Sequence, residues 1–429
     1  MRANVVAVLI LLSVDVASTS VIAAPTWQLT TALSTISAIE KRSGVSRPLN
    51  LLEDMFDKES GLCSEGVWHN SWLGVSRVLA ARQLRSVDEP KAELLLASAR
   101  TLGDSLFRTS FDGTGFERRV SSGIWQSADE AAEALAAAGE NAAFYQPSPS
   151  HRCASSAAAC ILFSMLAEED MRERGLTELT AEEGESAASR FIVVADAFVD
   201  EFFDTKACKF RRAAPTPEGG GYFRAVDQAM GCLVCLRLAR QGHQVASSRA
   251  MASCAADSLL REFGYALYAT EGQPPGIYLG RVGGRNSWHD ALASFALLAS
   301  GCLGVGGETP AGLVRALSES YRMDTGVIAH VPAELRAAGD GGEPVAFSST
   351  QAIWSAVVRA ADLSSAKADA LGGADVPALR AFFDGAVHDD GLLPVGNVYP
   401  EGRLWANTEF AAFVLLDRAD FGPAPGMRP

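Results

Sequence analysis

The chain has 429 residues, of which 48% are hydrophobic and 21% charged. That balance is ordinary for a globular protein and excludes a disordered chain, a collagen and a charged coiled coil, while the length admits one large domain or a few of common size. The formal net charge of −14 offers no basic face for a phosphate backbone, so no nucleic-acid partner is expected.

At the N-terminus Arg2 precedes an apolar run, Val5 to Leu12, and small residues follow to Ala24. Residues 1–24 therefore read as a secretory signal. The run is too short to span a bilayer and no other segment is long and apolar enough. The expectation is a secreted or endomembrane-lumenal protein with no membrane span after signal cleavage. There is no Asn-x-Ser/Thr acceptor site. Eight cysteines are too few for a disulfide scaffold in a chain of this length. Cys232 and Cys235 have CxxC spacing but sit in an apolar run, which reads as two buried thiols one helical turn apart.

From residue 27 onward one unit recurs. Segments near 27–44, 88–109, 185–203, 246–266, 309–322 and 376–387 mix charged and apolar residues at three- and four-residue spacing, the pattern of helices with one buried stripe. Phe191, Val194, Ala195, Phe198 and Phe202 form such a stripe. Each is followed by a polar loop and then by a helix that is small or apolar nearly all round, beginning near Asn70, Ser155, Asp227, His289, Thr350 and Thr408. A helix of that kind is buried nearly all round. Six inner helices alternating with six outer ones predict an all-α (α/α)6 toroid of six helical hairpins covering 27–420, with long loops on one face. An open solenoid is the alternative. Residues 127–147 read as an Ala/Glu-rich insertion and 421–429 as a disordered tail.

This six-fold pattern resembles the six-hairpin glycosidase-like superfamily. The resemblance covers nearly the whole chain and is architectural: no motif points to one member family. It implies a carbohydrate-active enzyme, because the superfamily includes glycosidases, lyases and sugar epimerases beside non-sugar enzymes. The adjacent acid pair of some toroid mannanases has a counterpart only in Asp389-Asp390, which stands beside Gly391 and reads as a turn.

In such a ring the loops before the inner helices gather at one end. His69, His151, His289, His330 and His388 map there, as do Trp68, Trp125, Trp288 and Trp405 and the tyrosines 145, 222, 278 and 399. Aromatic faces with polar edges suit sugar rings. The alternative is that the tryptophans plug the ring. Asp57, Asp112, Asp204, Asp324 and Asp389, each near a glycine or a turn, read as turn formers.

Carboxylates at inner-helix starts are candidate acids and bases: Asp227 and Asp290 first, then Glu409. Two such groups would perform glycoside hydrolysis, and a glycoside hydrolase is the leading expectation. His69 and His289 share a Trp-His context and would carry protons in an epimerase or lyase. Substrate-binding candidates are Trp68, Trp288, Tyr222, Arg224, Arg285, Gln351 and Trp405. Lys206, Lys209, Arg211, Arg212 and Arg224 cluster as an anion site or as a loop paired with nearby acids. No metal-ligand set, dinucleotide or Walker loop, or GxSxG elbow is present, so no cofactor is expected. The expected partner is a carbohydrate or other small molecule. A toroid that binds a glycan or a protein without catalysis is the reading from a different class.

Overall fold

The computed structural model describes residues 26–41, 62–63, 66–116, 151–176, 186–213, 223–261, 287–301, 320–330, 333, 345–361, 381–382, 392–396, 399–402 and 404–422. The helices are α1 (Trp27–Lys41), α2 (Val67–Leu84), α3 (Glu89–Ser110), α4 (Cys153–Glu173), α5 (Ala187–Phe202), α6 (Ala225–Arg240), α7 (Val245–Arg261), α8 (Ser287–Ser300), α9 (Ser348–Ala360) and α10 (Leu404–Phe413). Two short hairpins join them: β1 (Phe203–Asp204) with β2 (Lys209–Phe210), and β3 (Pro394–Gly396) with β4 (Tyr399–Gly402).

The inner helices close a ring. α2 packs on α4, α4 on α6, α6 on α8, α8 on α9, α9 on α10, and α10 returns to α2. That last contact decides for a toroid over an open solenoid. The outer helices sit over the seams: α1 lies on α10 and α2, α3 on α2 and α4, α7 on α6 and α8. The last two outer segments fall outside the described residues apart from 320–322 and 381–382.

Composition explains the two layers. Nearly every residue of α2, α4 and α6 is buried, and small residues let them approach. A Cβ at Gly74 would stand 2.7 Å from Leu162, and one at Gly231 would run into the Phe210 ring. The outer α5 buries only its Phe191–Phe202 stripe and leaves Val193 exposed. Two outer helices carry side-chain caps: Asp88 accepts from Lys91 N and Ser186 from Ser189 N.

The inner helices begin two to four residues before their expected starts. Gly66, Arg152, Arg224 and Phe347 precede α2, α4, α6 and α9 and give no side-chain cap. The polar residues that looked like caps lie inside the first turn, where they serve the loops. The fourth residue of α2, Asn70, accepts from Cys63 N at 2.8 Å and donates to Cys63 O at 3.1 Å. Gln228 does the same to Phe210 (3.0 and 2.6 Å), Gln351 to Ile328 (2.9 and 2.7 Å) and Asn407 to Leu393 (2.9 and 3.0 Å). In α4 the fourth residue, Ser156, accepts from Phe116 N at 3.4 Å. Each clamp satisfies a buried backbone donor, and the amides also a buried acceptor, which would otherwise cost stability.

Of the loop aspartates expected to form turns, Asp112 and Asp204 do so, while Asp57 and Asp389 lie outside the described residues. Asp112 Oδ1 accepts from Thr114 N and Gly115 N, and Asp204 Oδ1 from Lys206 N and Ala207 N. At the far end of the ring residues 417–422 form a turn. Arg240 donates to Ala419 O and Gly422 O, Arg359 to Leu416 O, and Arg237 to Asp420 O. Phe421, assigned by sequence to a disordered tail, is buried and edge-on to Phe295. Among the described residues a disulfide joins Cys208 to Cys254, while Cys63, Cys153, Cys160, Cys232 and Cys235 are buried thiols. Among the described residues no helix is long and apolar enough to cross a membrane and no His/Cys/Asp/Glu group could hold a metal ion.

Candidate active site

α2 and α8 stand opposite each other, three places apart in the six-helix ring. Both carry Trp-His as their second and third residues, so Trp68-His69 and Trp288-His289 enter the mouth from opposite walls. The two indoles meet at the middle, 5.9 Å between centroids and tilted by 60°. Trp72 lies beneath, edge-on to Trp68 at 5.5 Å and to Phe413 at 4.7 Å. Trp72 is fully buried and forms a floor, whereas Trp68 and Trp288 are half-buried and face the opening. The tryptophans thus both plug the ring and line its mouth.

Glu409, on α10 beside α2, sits against this pair. Trp68 Nε1 donates to its Oε1 at 2.6 Å, and Trp288 and Ser349 also hydrogen-bond to it. Burial pushes its carboxyl up to about 7, against the pull of those three donors. His69 Nδ1 lies 3.6 Å from the same oxygen. Burial holds His69 down at about 3. His289 is held at about 4, by burial first and then by the Arg224 guanidinium and His330. Burial also lowers His330, which stands edge-on to Phe347 at 4.7 Å. The cluster therefore has one carboxyl poised near neutrality and imidazoles kept uncharged.

Other expected residues are occupied in the wall. Asp227 is fully buried: Arg224 grips it with two bonds, Nε to Oδ2 at 2.8 Å and Nη2 to Oδ1 at 3.1 Å. It also accepts from Ala154 N, so it caps α4 from the neighbouring helix where Arg152 does not. Burial raises the Asp227 carboxyl, and Arg224 opposes that shift. Asp290, the fourth residue of α8, occupies the clamp position of its helix and accepts from Tyr321 Oη at 2.5 Å. Gln351 was expected to bind substrate; its amide is spent on Ile328, because that loop needs both of its bonds. Arg224 remains a third exposed while its partner is enclosed, and its charge reaches His289. Trp405 stands second in α10, in register with Trp68 and Trp288. Tyr222 and Arg285 lie outside the described residues, as do Trp125, Tyr145, Tyr278 and His388.

Ser349 was not anticipated. A signal existed: aligning the inner helices on their fourth residue puts Ser349 of α9 where α2 and α8 have tryptophan.

No family model matches the chain. No curated protein matches it either. Solved structures do. A crystal structure of D-mannose isomerase superposes with a TM-score of 0.59 over 93% of this chain and 99% of that one, at 11% identity. A sugar epimerase from a ruminal bacterium gives 0.55 over 90% and 97%, at 10% identity. A GH76 α-mannanase from Bacteroides thetaiotaomicron gives 0.54 over 91% and 95%, also at 10% identity. The fold is the (α/α)6 toroid. At such identities the shared property is the fold, and the toroid's reaction is a matter for its own mouth.

Proposed function

We propose that this toroid is a carbohydrate-active enzyme, and that it moves protons at a carbon of the sugar as an isomerase or epimerase does. The observation that carries the reading is the pair of Trp-His dipeptides facing each other across the ring with Glu409 between them. Sugar isomerisation removes a proton next to a carbonyl and returns one to a neighbouring atom or to the opposite face. Uncharged imidazoles are the accepting form, and His69 and His289 are kept in that form across neutral pH. Glu409, poised near 7, would serve as the complementary acid. Trp68 and Trp288 would stack on the ring, and Arg224, anchored by Asp227, would donate to the oxygen that gains charge.

Hydrolysis is supported less well. It needs two carboxyl groups flanking the scissile bond, and Asp227 and Asp290 are both enclosed by the ring wall. The solved structures of like fold include enzymes named for both chemistries, so they favour a sugar and not a reaction.

The test incubates the purified chain in D2O with mannose, fructose, cellobiose and an α-mannan oligosaccharide. Deuterium entering the C2 position with a new sugar formed is the expected result, abolished in His289→Ala. Release of new reducing ends without exchange at carbon would replace the proposal with a hydrolase.

A further inference from the structure

Cys208 and Cys254 are set apart from the other described cysteines by exposure. Cys208 is exposed and Cys254 half-buried, whereas the thiols of Cys63, Cys153, Cys160, Cys232 and Cys235 are buried. Cys208 ends the tight turn between β1 and β2, where Asp204 O accepts from Cys208 N at 2.7 Å. Its φ of 57° lies in the left-handed region that favours glycine. Glycine would fit that turn with less strain, and the cysteine there supplies a side chain that glycine lacks. It reaches Cys254 on the outer helix α7, 46 residues on, with the two Cα atoms 5.5 Å apart.

The bond fastens a working part of the mouth. The β1–β2 hairpin carries Phe210, which Gln228 clamps beside Asp227 and Arg224, and Arg211, whose N donates to Phe202 O. Its turn rests on α7 through this cross-link. Beside the sulfurs an open groove of about 390 Å³ is lined by Lys209, Asp257, Ser258 and Arg261, which gives a thiol reagent access from solvent.

We propose that Cys208–Cys254 is an accessible redox latch that holds the hairpin before α6 in place and that forms on export to an oxidising compartment. Formation removes one proton and one electron from each thiol. Both electrons and both protons pass to the disulfide of a thiol–disulfide oxidoreductase or of an oxidised small thiol, which leaves as dithiol. Such bonds persist outside the reducing cytosol, in keeping with the export expected from residues 1–24. The latch is independent of the proposed reaction, and its test reads no turnover.

The full chain is produced with residues 1–24 for export, alkylated under denaturing conditions without reductant, and mapped by mass spectrometry. A cross-linked Cys208–Cys254 peptide beside alkylated Cys63, Cys153, Cys160, Cys232 and Cys235 is expected, whereas alkylation of both Cys208 and Cys254 overturns the bond. The same chain made in the cytosol without residues 1–24 should be alkylated at both; a full cross-link there overturns the dependence on export. Hydrogen exchange is then followed on the native exported protein with and without a phosphine reductant. The amides of Cys208 and Arg211 should exchange at least tenfold faster after reduction while α2 and α4 stay protected, and Cys208→Ser should reproduce the faster rate. Unchanged exchange at those two amides in the reduced wild type overturns the latch.

Discussion

The two ends of the ring use charge in opposite ways. At the far end Glu168 of α4 meets Arg82, Arg237 and Arg240, 2.8, 2.7 and 2.8 Å away. Burial alone would raise its carboxyl, but the three guanidinium groups hold it well below the usual range. At the mouth the donors to Glu409 among the described residues, Trp68, Trp288 and Ser349, are neutral, and burial prevails. The same element, the end of a buried rod, holds its carboxyl ionised where guanidinium groups pair it and raises its pKa towards neutrality where burial outweighs neutral donors. Paired charges give way only when a partner is removed, whereas an uncompensated carboxyl responds to modest changes in pH.

That contrast can be broken most forcefully at the mouth. His289→Ala should lower turnover in the sugar assay by about 10²–10⁴-fold, the usual contribution of a positioned acid or base, with little change in melting temperature. At the far end the pattern reverses. Glu168→Ala leaves Arg237 buried without its carboxylate and should cost about 3–5 kcal/mol in urea unfolding, while the residual folded protein keeps its kcat. A third experiment titrates stability. The folded Glu409 carboxyl, at about 7, lies above its ordinary 4.5. Its contribution is full below 4.5 and fades as pH rises through 7, a loss of roughly 3 kcal/mol that Glu409→Gln should abolish. If the protonated form is the working acid, kcat should fall above the same pH and the fall should vanish in that variant. The clamps give a smaller effect: Gln351→Ala leaves Ile328 N–H and C=O unpaired and should cost about 1–3 kcal/mol by urea unfolding. The smallest belongs to an outer helix, where Asp88→Ala removes one cap and should cost about 1 kcal/mol.

Much of the layering was legible because it is periodic. The Phe191–Phe202 stripe marks α5 as outer, and the small apolar runs after Asn70 and Asp227 mark α2 and α6 as inner. The position of Trp68, His69, Trp288 and His289 at the starts of inner helices put them at one end of the ring from sequence alone. Sequence could not show how each candidate side chain is employed. Asp227 and Asp290 look like free acids, yet one caps a neighbouring helix and the other takes a tyrosine hydroxyl. Gln351 looks like a ligand and is a loop clamp. Glu409, ranked behind the two aspartates, holds the central place.

Sequence by itself determined the alternation of buried and striped rods, since periodicity is a local property of the chain. It also determined the end at which aromatics and imidazoles collect. Tertiary structure alone decided that α10 meets α2 and closes the ring, that Trp68 and Trp288 touch across it, and which carboxyl lacks a charged partner. The reason is physical: desolvation and pairing depend on neighbours hundreds of residues away, such as Trp68 and Glu409, 341 positions apart in sequence, and no local pattern encodes those distances.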